Sequence, residues 1–402
     1  MCQDEKKMTK CKNRLLKRTF REKFLDSRTI FDKHFRKAER RFKKAEMMEL
    51  ETLCTTDQKK FYDQLRKLGP KRKRKGIPGE VIDSNGNVVF DDKSILDKWK
   101  NDFKTLYRGD DDSIDREFNE MMKHFKNQVE GEMLDPLYEN SSEMNREISL
   151  VEVRNVAMRA KNGKATGGDQ IPYEILKYDN VMYTLCKLYQ LCFDSGKVPS
   201  EWNSAIIFPI PKSKLADARV PLNYRGVSLL STISKLYTSI LNERLREHCE
   251  NDILTDEQNG FRKNRSCVDH IYVLTSIIKN KINKGKPVFA CFIDFKKAFD
   301  LVNRDLMLVS LYENGIQGNI YFAIKSLYQR TKARVQVNDK LTDWFATYSG
   351  VRQGDSMSPT LFSIFLNSLS KDLGQFNSGI SVFNRSISHL LYADDLVLLA
   401  EN

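Results

Sequence analysis

The chain has 402 residues, of which 40% are hydrophobic and 30% charged, a composition typical of a folded protein with room for two or three domains. No apolar run approaches the ~18 residues of a membrane helix, and the first residues lack the apolar segment of a secretory signal. The eight cysteines include no Cys-x-x-Cys pair, which argues against a zinc site or a disulfide framework. We therefore expect an intracellular protein, nuclear or cytoplasmic, with no membrane partner.

Positive charge is concentrated near the N-terminus. Residues 1–75 hold 26 Lys and Arg against 11 Asp and Glu, a net charge of +15, whereas the rest of the chain has a net charge of −2. Such a segment favours a polyanionic partner, although a solvated helical face has the same composition. The run Lys-Arg-Lys-Arg-Lys at residues 71–75 is typical of a nuclear-localisation or phosphate-binding patch, and equally of a linker, because Gly and Pro bracket it.

The N-terminal part of the chain is predicted to be mainly helical. Residues 14–50 carry aromatic residues at steps of four and seven, the stripe of an amphipathic helix. Residues 79–89 predict a β-hairpin that turns at Asn-Gly. Residues 92–130 predict further helices, and residues 131–146 predict a polar loop.

From about residue 147 the pattern is that of a compact α/β body. Helices are predicted at 147–161, 172–194 and 233–248, and after the Ser-Pro pair at 358–359. Ala-Ile-Ile-Phe-Pro-Ile at 205–210 predicts a strand. The continuous apolar run at 288–293 predicts a strand buried on both faces.

Two adjacent carboxylates, Asp394 and Asp395, lie between two short apolar runs within residues 390–399. Apolar runs of this length predict strands, and the residues between them predict a tight turn, so we expect both carboxylates at the tip of a hairpin. A fold tolerates two neighbouring anions in solvent or beside a cation. An exposed acidic turn is the simpler interpretation of this pair alone.

A third carboxylate, Asp294, ends the apolar strand predicted at 288–293. If that strand pairs with the hairpin, the three carboxylates meet at one end of a sheet. Oxygen ligands of this kind suit Mg²⁺, and two such ions serve phosphoryl transfer. Taken alone, Asp294 is equally typical of a residue that ends a strand.

These residues belong to a set of motifs that resembles the reverse transcriptase of non-LTR (LINE-type) retrotransposons. The resemblance covers roughly residues 147–402, and residues 14–108 resemble the basic region that precedes such polymerases. Besides the strand ending in Asp294 and the Tyr-Ala-Asp-Asp at 392–395, the matching segments are 161–169, 223–230, 258–262 and 350–362, in the family's order.

The resemblance implies an α/β (α+β) fold, a right-hand polymerase with helical fingers and an antiparallel palm sheet, preceded by a basic α-helical segment. We expect three parts: a basic helical region at 1–75, a linker and helical region at 76–146, and fingers with a partial palm at 147–402. The thumb and an endonuclease domain are expected to be absent.

The resemblance also implies an RNA-directed DNA polymerase that extends a DNA primer on an RNA template, using deoxynucleoside triphosphates and two Mg²⁺ ions. Its catalytic and metal-binding residues would be Asp294, Asp394 and Asp395. Its nucleotide-binding residues would be Lys212, Arg225, Phe295, Phe299, Gln353 and Gly354.

The implied roles differ between these nucleotide-binding residues. The backbone carbonyl of Phe295 would assist metal binding, and the ring of Phe299 would exclude a ribose 2′-hydroxyl unless it is an ordinary core residue. Gln353 and Gly354 would lie beside the nascent base pair. The Arg225 guanidinium would bind the triphosphate.

Some assignments remain open at this level. Lys212 and Lys214 compete for a second triphosphate contact. Gly226 and Gly168 stand where the family usually has proline, and each is expected to loosen a loop by ~0.4–1 kcal/mol. Two alternatives to the reverse transcriptase are an inactive remnant that still binds RNA or DNA, and an RNA-templated RNA polymerase. Ala393 before the Asp pair and Phe299 at the sugar position argue against the RNA polymerase.

Overall fold

The computed structural model describes residues 14–57, 60–61, 76–109, 116–135, 137–138, 142–213, 215–376, 379–382 and 385–401. It divides into two compact units, Met1–Lys75 and Gly76–Asn402. The basic run at 71–75 and Lys214 lie outside the described residues. The segment 76–146, predicted as a separate region, falls within the second unit.

The first unit contains one long helix, α1 (Arg14–Thr56, 43 residues), which confirms the helix predicted there. Its aromatic stripe is exposed: Phe31, Phe35 and Phe42 keep 50%, 58% and 65% of their surface accessible. The helix therefore presents an apolar stripe and a high density of positive charge together.

The second unit alternates helices and strands. Its α-helices are α2 (Asp92–Leu106), α3 (Arg116–Met133), α4 (Leu150–Arg159), α5 (Asp179–Ser195), α6 (Thr232–Asp252), α7 (Cys267–Asn283), α8 (Arg304–Glu313), α9 (Asn319–Tyr328) and α10 (Ser358–Gln375). Its strands are β1 (Val81–Ile82), β2 (Val88–Val89), β3 (Ser204–Pro211), β4 (Tyr224–Leu229), β5 (Phe289–Asp294), β6 (Lys332–Val337), β7 (Lys340–Leu341), β8 (Phe345–Ala346), β9 (Ile380–Val382), β10 (Arg385–Ile387), β11 (His389–Tyr392) and β12 (Asp395–Ala400). Across the described ranges, no helix combines the length and the apolar character needed to cross a bilayer.

Two sheets organise this unit. The larger has the order β4-β3-β6-β7, with β8 also paired to β6. Its β3–β6 pair is parallel and its other pairs are antiparallel. The smaller sheet has the order β11-β12-β5 and is antiparallel throughout. The α/β fold class with an antiparallel palm sheet is therefore confirmed.

Helix α2 covers one face of the larger sheet through buried aromatic side chains. The Trp99 ring packs edge-on against Tyr224 at 5.1 Å between centroids. A Cβ added to Gly226 would lie 2.8 Å from Phe103 Cε1 and 2.9 Å from Ile207 Cγ2. The prediction that Gly226 loosens a loop is wrong, since it lies in strand β4 opposite Pro209 and leaves room for α2.

The main hydrophobic core lies among helices α4, α5, α6, α8, α9 and α10. Tyr189, Tyr237, Tyr321 and Phe362 are among its largest fully buried side chains. The smaller sheet joins this core through Leu391 and Leu396. The sheet that carries the predicted carboxylates is thus anchored to the main hydrophobic core of the unit.

Strand β5 departs from its prediction. It forms where the apolar run predicted a strand, but it is exposed rather than buried on both faces: Phe289 and Phe292 keep 56% and 72% of their surface accessible. An apolar run is compatible with a buried strand, but the strand becomes buried only if other elements cover its two faces and pair with its edges. In the described part of the chain β12 alone pairs with β5, which leaves β5 at the sheet edge.

Candidate active site

The register of the smaller sheet brings the three predicted carboxylates to one end. Tyr392 of β11 pairs with Asp395 of β12, and Asp395 pairs on its other side with Asp294 of β5. Residues directly opposite in an antiparallel pair have Cβ atoms about 4.5–5.5 Å apart and project from the same face. Asp294 and Asp395 therefore stand side by side, and Asp394 precedes Asp395 on the turn.

The turn between β11 and β12 consists of Ala393 and Asp394. Ala393 has a φ of +61°, in the left-handed region. A two-residue hairpin with positive φ at its first position only is a type II′ turn, which favours glycine there, so alanine stores about 1 kcal/mol of strain. The predicted hairpin is confirmed, with one correction: Asp395 opens strand β12 instead of sharing the tip with Asp394.

The three carboxylates also interact electrostatically. Partial burial raises the pKa of Asp394 above 3.8, and the negative charges of Asp395 and Asp294 raise it further. The positive charge of Arg225 opposes this shift. A cation bound here would offset the repulsion between the carboxylates and so stabilise the site.

A glutamine of the 258–262 motif, for which no individual role was predicted from the sequence, holds the strained turn. The side chain of Gln258 is fully buried. Its Oε1 accepts a hydrogen bond from Ala393 N at 3.0 Å, and its Nε2 donates to Ala393 O at 3.4 Å. A Cβ added to Gly260 would lie 2.1 Å from Ala393 N, so this glycine is required for the close approach. The motif at 258–262 thus supports the carboxylate-bearing hairpin.

Gln353 is held by a buried carboxylate outside this cluster, Asp300. Gln353 Nε2 donates to Asp300 Oδ1 at 2.9 Å, and the Tyr107 hydroxyl donates to the same oxygen at 3.2 Å. Burial raises the pKa of Asp300, although the two hydrogen bonds act to lower it. No role was predicted for Asp300 from the sequence. Its position in the same motif, six residues after Asp294, is the sequence feature that could have indicated one.

Gly354 is confined by the backbone of the larger sheet. It has a φ of +108°, and an added Cβ would lie 3.0 Å from Ser228 O. Ser228 N in turn donates to Gln353 O at 2.6 Å. Glycine at this position is explained by backbone conformation and by its close approach to β4.

Phe299 lies in an aromatic stack. Its ring stacks on Phe362 at 4.4 Å and meets Phe261 edge-on at 5.8 Å. Phe295 is half-buried and packs against the main core. Phe299 is therefore a rigid ring, held on one side by the core and on the other by the half-exposed Phe261.

The two predicted cations differ in their surroundings. Arg225 is exposed on β4, and its charge acts on Asp394. Lys212 follows β3, its Nζ donates to Leu222 O at 2.9 Å, and its charge acts on Asp300. Arg225 is thus the cation placed toward the acidic sheet end.

The donor chemistry of this sheet end fits a hard divalent cation. Asp294 and Asp395 are exposed and Asp394 is half-buried, so carboxylate oxygens are accessible from solvent. Within the described ranges, no three His, Cys, Asp or Glu side chains are already gathered closely enough to hold a metal ion. The backbone positions are adjacent, and the side chains would have to turn toward a shared ion.

Comparison with known proteins places the site within a family. Residues 210–402 match the family described as reverse transcriptase (RNA-dependent DNA polymerase). This segment contains the three carboxylates together with Arg225 and Gln353.

Curated relatives agree with this match. One is the retrovirus-related Pol polyprotein from type-1 retrotransposable element R2 of Nasonia vitripennis, 26% identical over 279 residues, which are 69% of this chain and 26% of the relative. Another is the probable RNA-directed DNA polymerase from transposon BS of Drosophila melanogaster, 30% identical over 275 residues, 67% of this chain and 30% of the relative. The chain thus spans less than a third of the length of these relatives.

A solved structure, apo telomerase from Candida Tropicalis truncated from its C-terminal domain, aligns at 13% identity and a TM-score of 0.38. The alignment covers 56% of this chain and 49% of the other, a likeness too weak to bear on function. The family match and the curated relatives show that residues 210–402 form a reverse transcriptase domain of the LINE-type retrotransposon group.

Proposed function

We propose that this chain carries the catalytic centre of an RNA-directed DNA polymerase that extends the 3′-hydroxyl of a DNA primer on an RNA template. The observation that carries the proposal is the register that sets Asp294 opposite Asp395, with Asp394 on the adjoining turn. The family match over 210–402 supports it.

The carboxylates of Asp294, Asp394 and Asp395 would hold two Mg²⁺ ions, with the Phe295 carbonyl as a further oxygen ligand. When bound, Mg²⁺ supplies a lowered pKa at the primer 3′-hydroxyl and charge neutralisation at the leaving pyrophosphate. The metal-binding role of the carboxylates explains why the fold keeps three anions at one sheet end.

Residues around the carboxylates would bind and orient the incoming nucleotide. The Arg225 guanidinium can donate two parallel hydrogen bonds to triphosphate oxygens, and Lys212 can add a point charge. Asp300 would hold the Gln353 amide in one orientation beside the nascent base pair. The rigid Phe299 ring would lie under the sugar and exclude a 2′-hydroxyl.

The proposed reaction implies nucleic-acid and nucleotide partners and an intracellular location. An RNA template, a DNA primer and deoxynucleoside triphosphates would be bound, in the nucleus or the cytoplasm. A primer–template presents a regular array of phosphates, which the basic residues at 1–75 suit electrostatically.

Primer extension tests the proposal directly. The purified chain should extend a labelled DNA primer on an RNA template in the presence of Mg²⁺. Asp394→Ala should lower the rate by about 10²–10³-fold or more, since it removes a group that stabilises transition-state charge. The control is Asp372→Ala, an exposed aspartate of α10. Equal extension by wild type and Asp394→Ala would refute the proposal.

A second candidate is a chain that binds nucleic acid without polymerising. It is favoured by the exposed apolar edge strand β5, where Phe292 is 72% accessible beside the carboxylates. This candidate predicts primer–template binding that weakens steeply with salt, and no extension. Sustained extension by the isolated chain would exclude it.

A further inference from the structure

A large cleft lies apart from the acidic sheet end. Its volume is about 1190 Å³, and it is bordered by the C-terminal end of α2, by α3, α8 and α9, and by strands β6 and β8. None of the predicted catalytic or nucleotide-binding residues lines it. The cleft therefore provides a second concave surface that polymerisation as proposed above does not use.

The cleft is strongly basic. Seven Lys and Arg residues line it, against one carboxylate, Asp305. That carboxylate is already paired with Lys126, at 2.5 Å. Among the residues that the structure describes, Lys123, Arg330 and Lys332 have no ion pair. Lys325 pairs with Glu130, so within the described residues the excess positive charge of the lining lies at Lys123, Arg330 and Lys332.

A half-buried arginine of the cleft lining adds a further positive charge. The Arg304 guanidinium donates to the backbone oxygens of Gly350, Thr347 and Ser349 at 2.9–3.0 Å, and to Thr331 Oγ1. Within the described residues it has no carboxylate partner. Burial, together with the charge of neighbouring Arg352, lowers the pKa of Arg304 to about 10, so it stays protonated at neutral pH.

Two aromatic side chains stand at the cleft with much of their surface free. Trp344 is 40% accessible, although Lys332 Nζ lies 5.1 Å and Arg334 Cζ 4.5 Å from its ring centroid. Tyr348 is 67% accessible, and its backbone N donates to Tyr107 O at 2.8 Å. The Tyr348 backbone is thus fixed, and Trp344 directly precedes strand β8, which pairs with β6.

We propose that this cleft binds a single-stranded polynucleotide at a site separate from that of DNA synthesis. Basic groups that follow the phosphates, combined with exposed rings on which bases stack, are the features of single-strand binding. A duplex keeps its bases stacked inside, out of reach of Trp344 and Tyr348. The positive charge of Arg304, which lines the cleft, adds to the attraction for the phosphates.

The test uses the full chain and a fluorescent oligonucleotide of about 12 nucleotides, in RNA and DNA forms, with binding followed by anisotropy. The variant W344A/Y348A should weaken binding by about tenfold or more, since the stacking of one base on an aromatic ring is worth about 1–3 kcal/mol. R330Q/K332Q should reduce the slope of log K against log salt by about 1.4, or about 0.7 for each phosphate that is no longer neutralised. The control is K279Q, an exposed lysine on α7.

The outcomes separate this site from the polymerase centre. Weakened binding in both cleft variants, with wild-type binding in K279Q, supports the cleft whether or not the chain extends primers. A preference for the RNA form would identify RNA as the occupant. Wild-type binding in both cleft variants, or an equal loss of affinity in K279Q, would overturn the proposal. R330Q alone, at an exposed position, repeats the charge test with the least risk to folding.

Discussion

At the scale of single residues, Phe299 has the most specific proposed role. Its ring cannot tilt freely, because it stacks on the buried Phe362 at 4.4 Å. A rigid ring can reject a 2′-hydroxyl by steric exclusion, whereas a mobile one would yield.

We therefore expect Phe299→Val to admit ribonucleotides. The ratio of kcat/KM for deoxynucleotides to that for ribonucleotides should fall by about tenfold or more, the scale on which a pocket discriminates one small group. Steady-state incorporation of each nucleotide on the same primer–template measures it. Phe376→Val, the same substitution at an exposed phenylalanine just after α10, is the control. Unchanged selectivity in Phe299→Val would remove the role assigned to that ring.

The carboxylate cluster also predicts a pH dependence of stability. The pKa of Asp394 is raised in the folded chain, so folding takes up protons between the unfolded value of 3.8 and the folded value. Stability conferred by the protonated form is therefore lost as pH rises through this window. Asp394→Asn removes the repulsion and should melt at a higher temperature than wild type at pH 7, with a smaller advantage near pH 4.

Thermal melts at the two pH values measure this effect without added metal. Asp372→Asn, on the exposed face of α10, should shift the melting temperature equally at both pH values. A constant difference between Asp394→Asn and wild type across this pH range would contradict the electrostatic account.

At the scale of elements, the sequence could predict what depends on local pattern. The apolar runs correctly indicated β3, β5 and the β11–β12 hairpin, because strand formation depends on neighbouring residues. The exposure of β5 and the packing of Gly226 against Phe103 could not be predicted, since both depend on which elements become neighbours.

The hydrogen bonds that support the site were equally hidden from the sequence. Gln258 binds Ala393 across 135 positions, and Gln353 binds Asp300 across 53. The motifs that contain these residues are recognisable in the sequence, but their mutual hydrogen bonds arise only when the sheets and the 257–260 segment come together. Family resemblance located the residues, and the fold explains why they are needed.

The hairpin clamp, formed by Gln258 and Gly260 against Ala393, leads to a test at this scale. Gly260→Ala places a Cβ against the Ala393 backbone, which must move and carry Asp394 with it. We expect primer extension to fall by about tenfold or more, because small misplacements of catalytic groups are costly. Gly374→Ala, where an added Cβ meets nothing within 4 Å, is the matched control. Wild-type extension by Gly260→Ala would show that the clamp does not position the carboxylates.

At the scale of the whole molecule, charge is divided between the two units. The first 75 residues carry a net charge of +15 and include the exposed helix α1, whereas the remainder is close to neutral. Non-specific attraction to nucleic acid should therefore reside mainly in the first unit, and chemistry in the second.

Deletion of residues 1–75 should accordingly flatten the salt dependence of primer–template binding. The slope of log K against log salt falls by about 0.7–0.9 for each phosphate that the protein ceases to neutralise. Titrations at several salt concentrations, for the full chain and for the deletion, measure the change. An unaltered slope would show that the basic segment does not bind the nucleic acid.

The central claim is that Asp294, Asp394 and Asp395 form one divalent-cation site at the end of the smaller sheet. Mn²⁺ titration of the metal-free full chain, followed by electron paramagnetic resonance, tests it without reference to catalysis. Alanine at any of the three positions should weaken the tightest Mn²⁺ binding by about tenfold or more, the scale typical of perturbed metal sites, and Asp372→Ala should not. Wild-type Mn²⁺ binding by Asp294→Ala would contradict the claim.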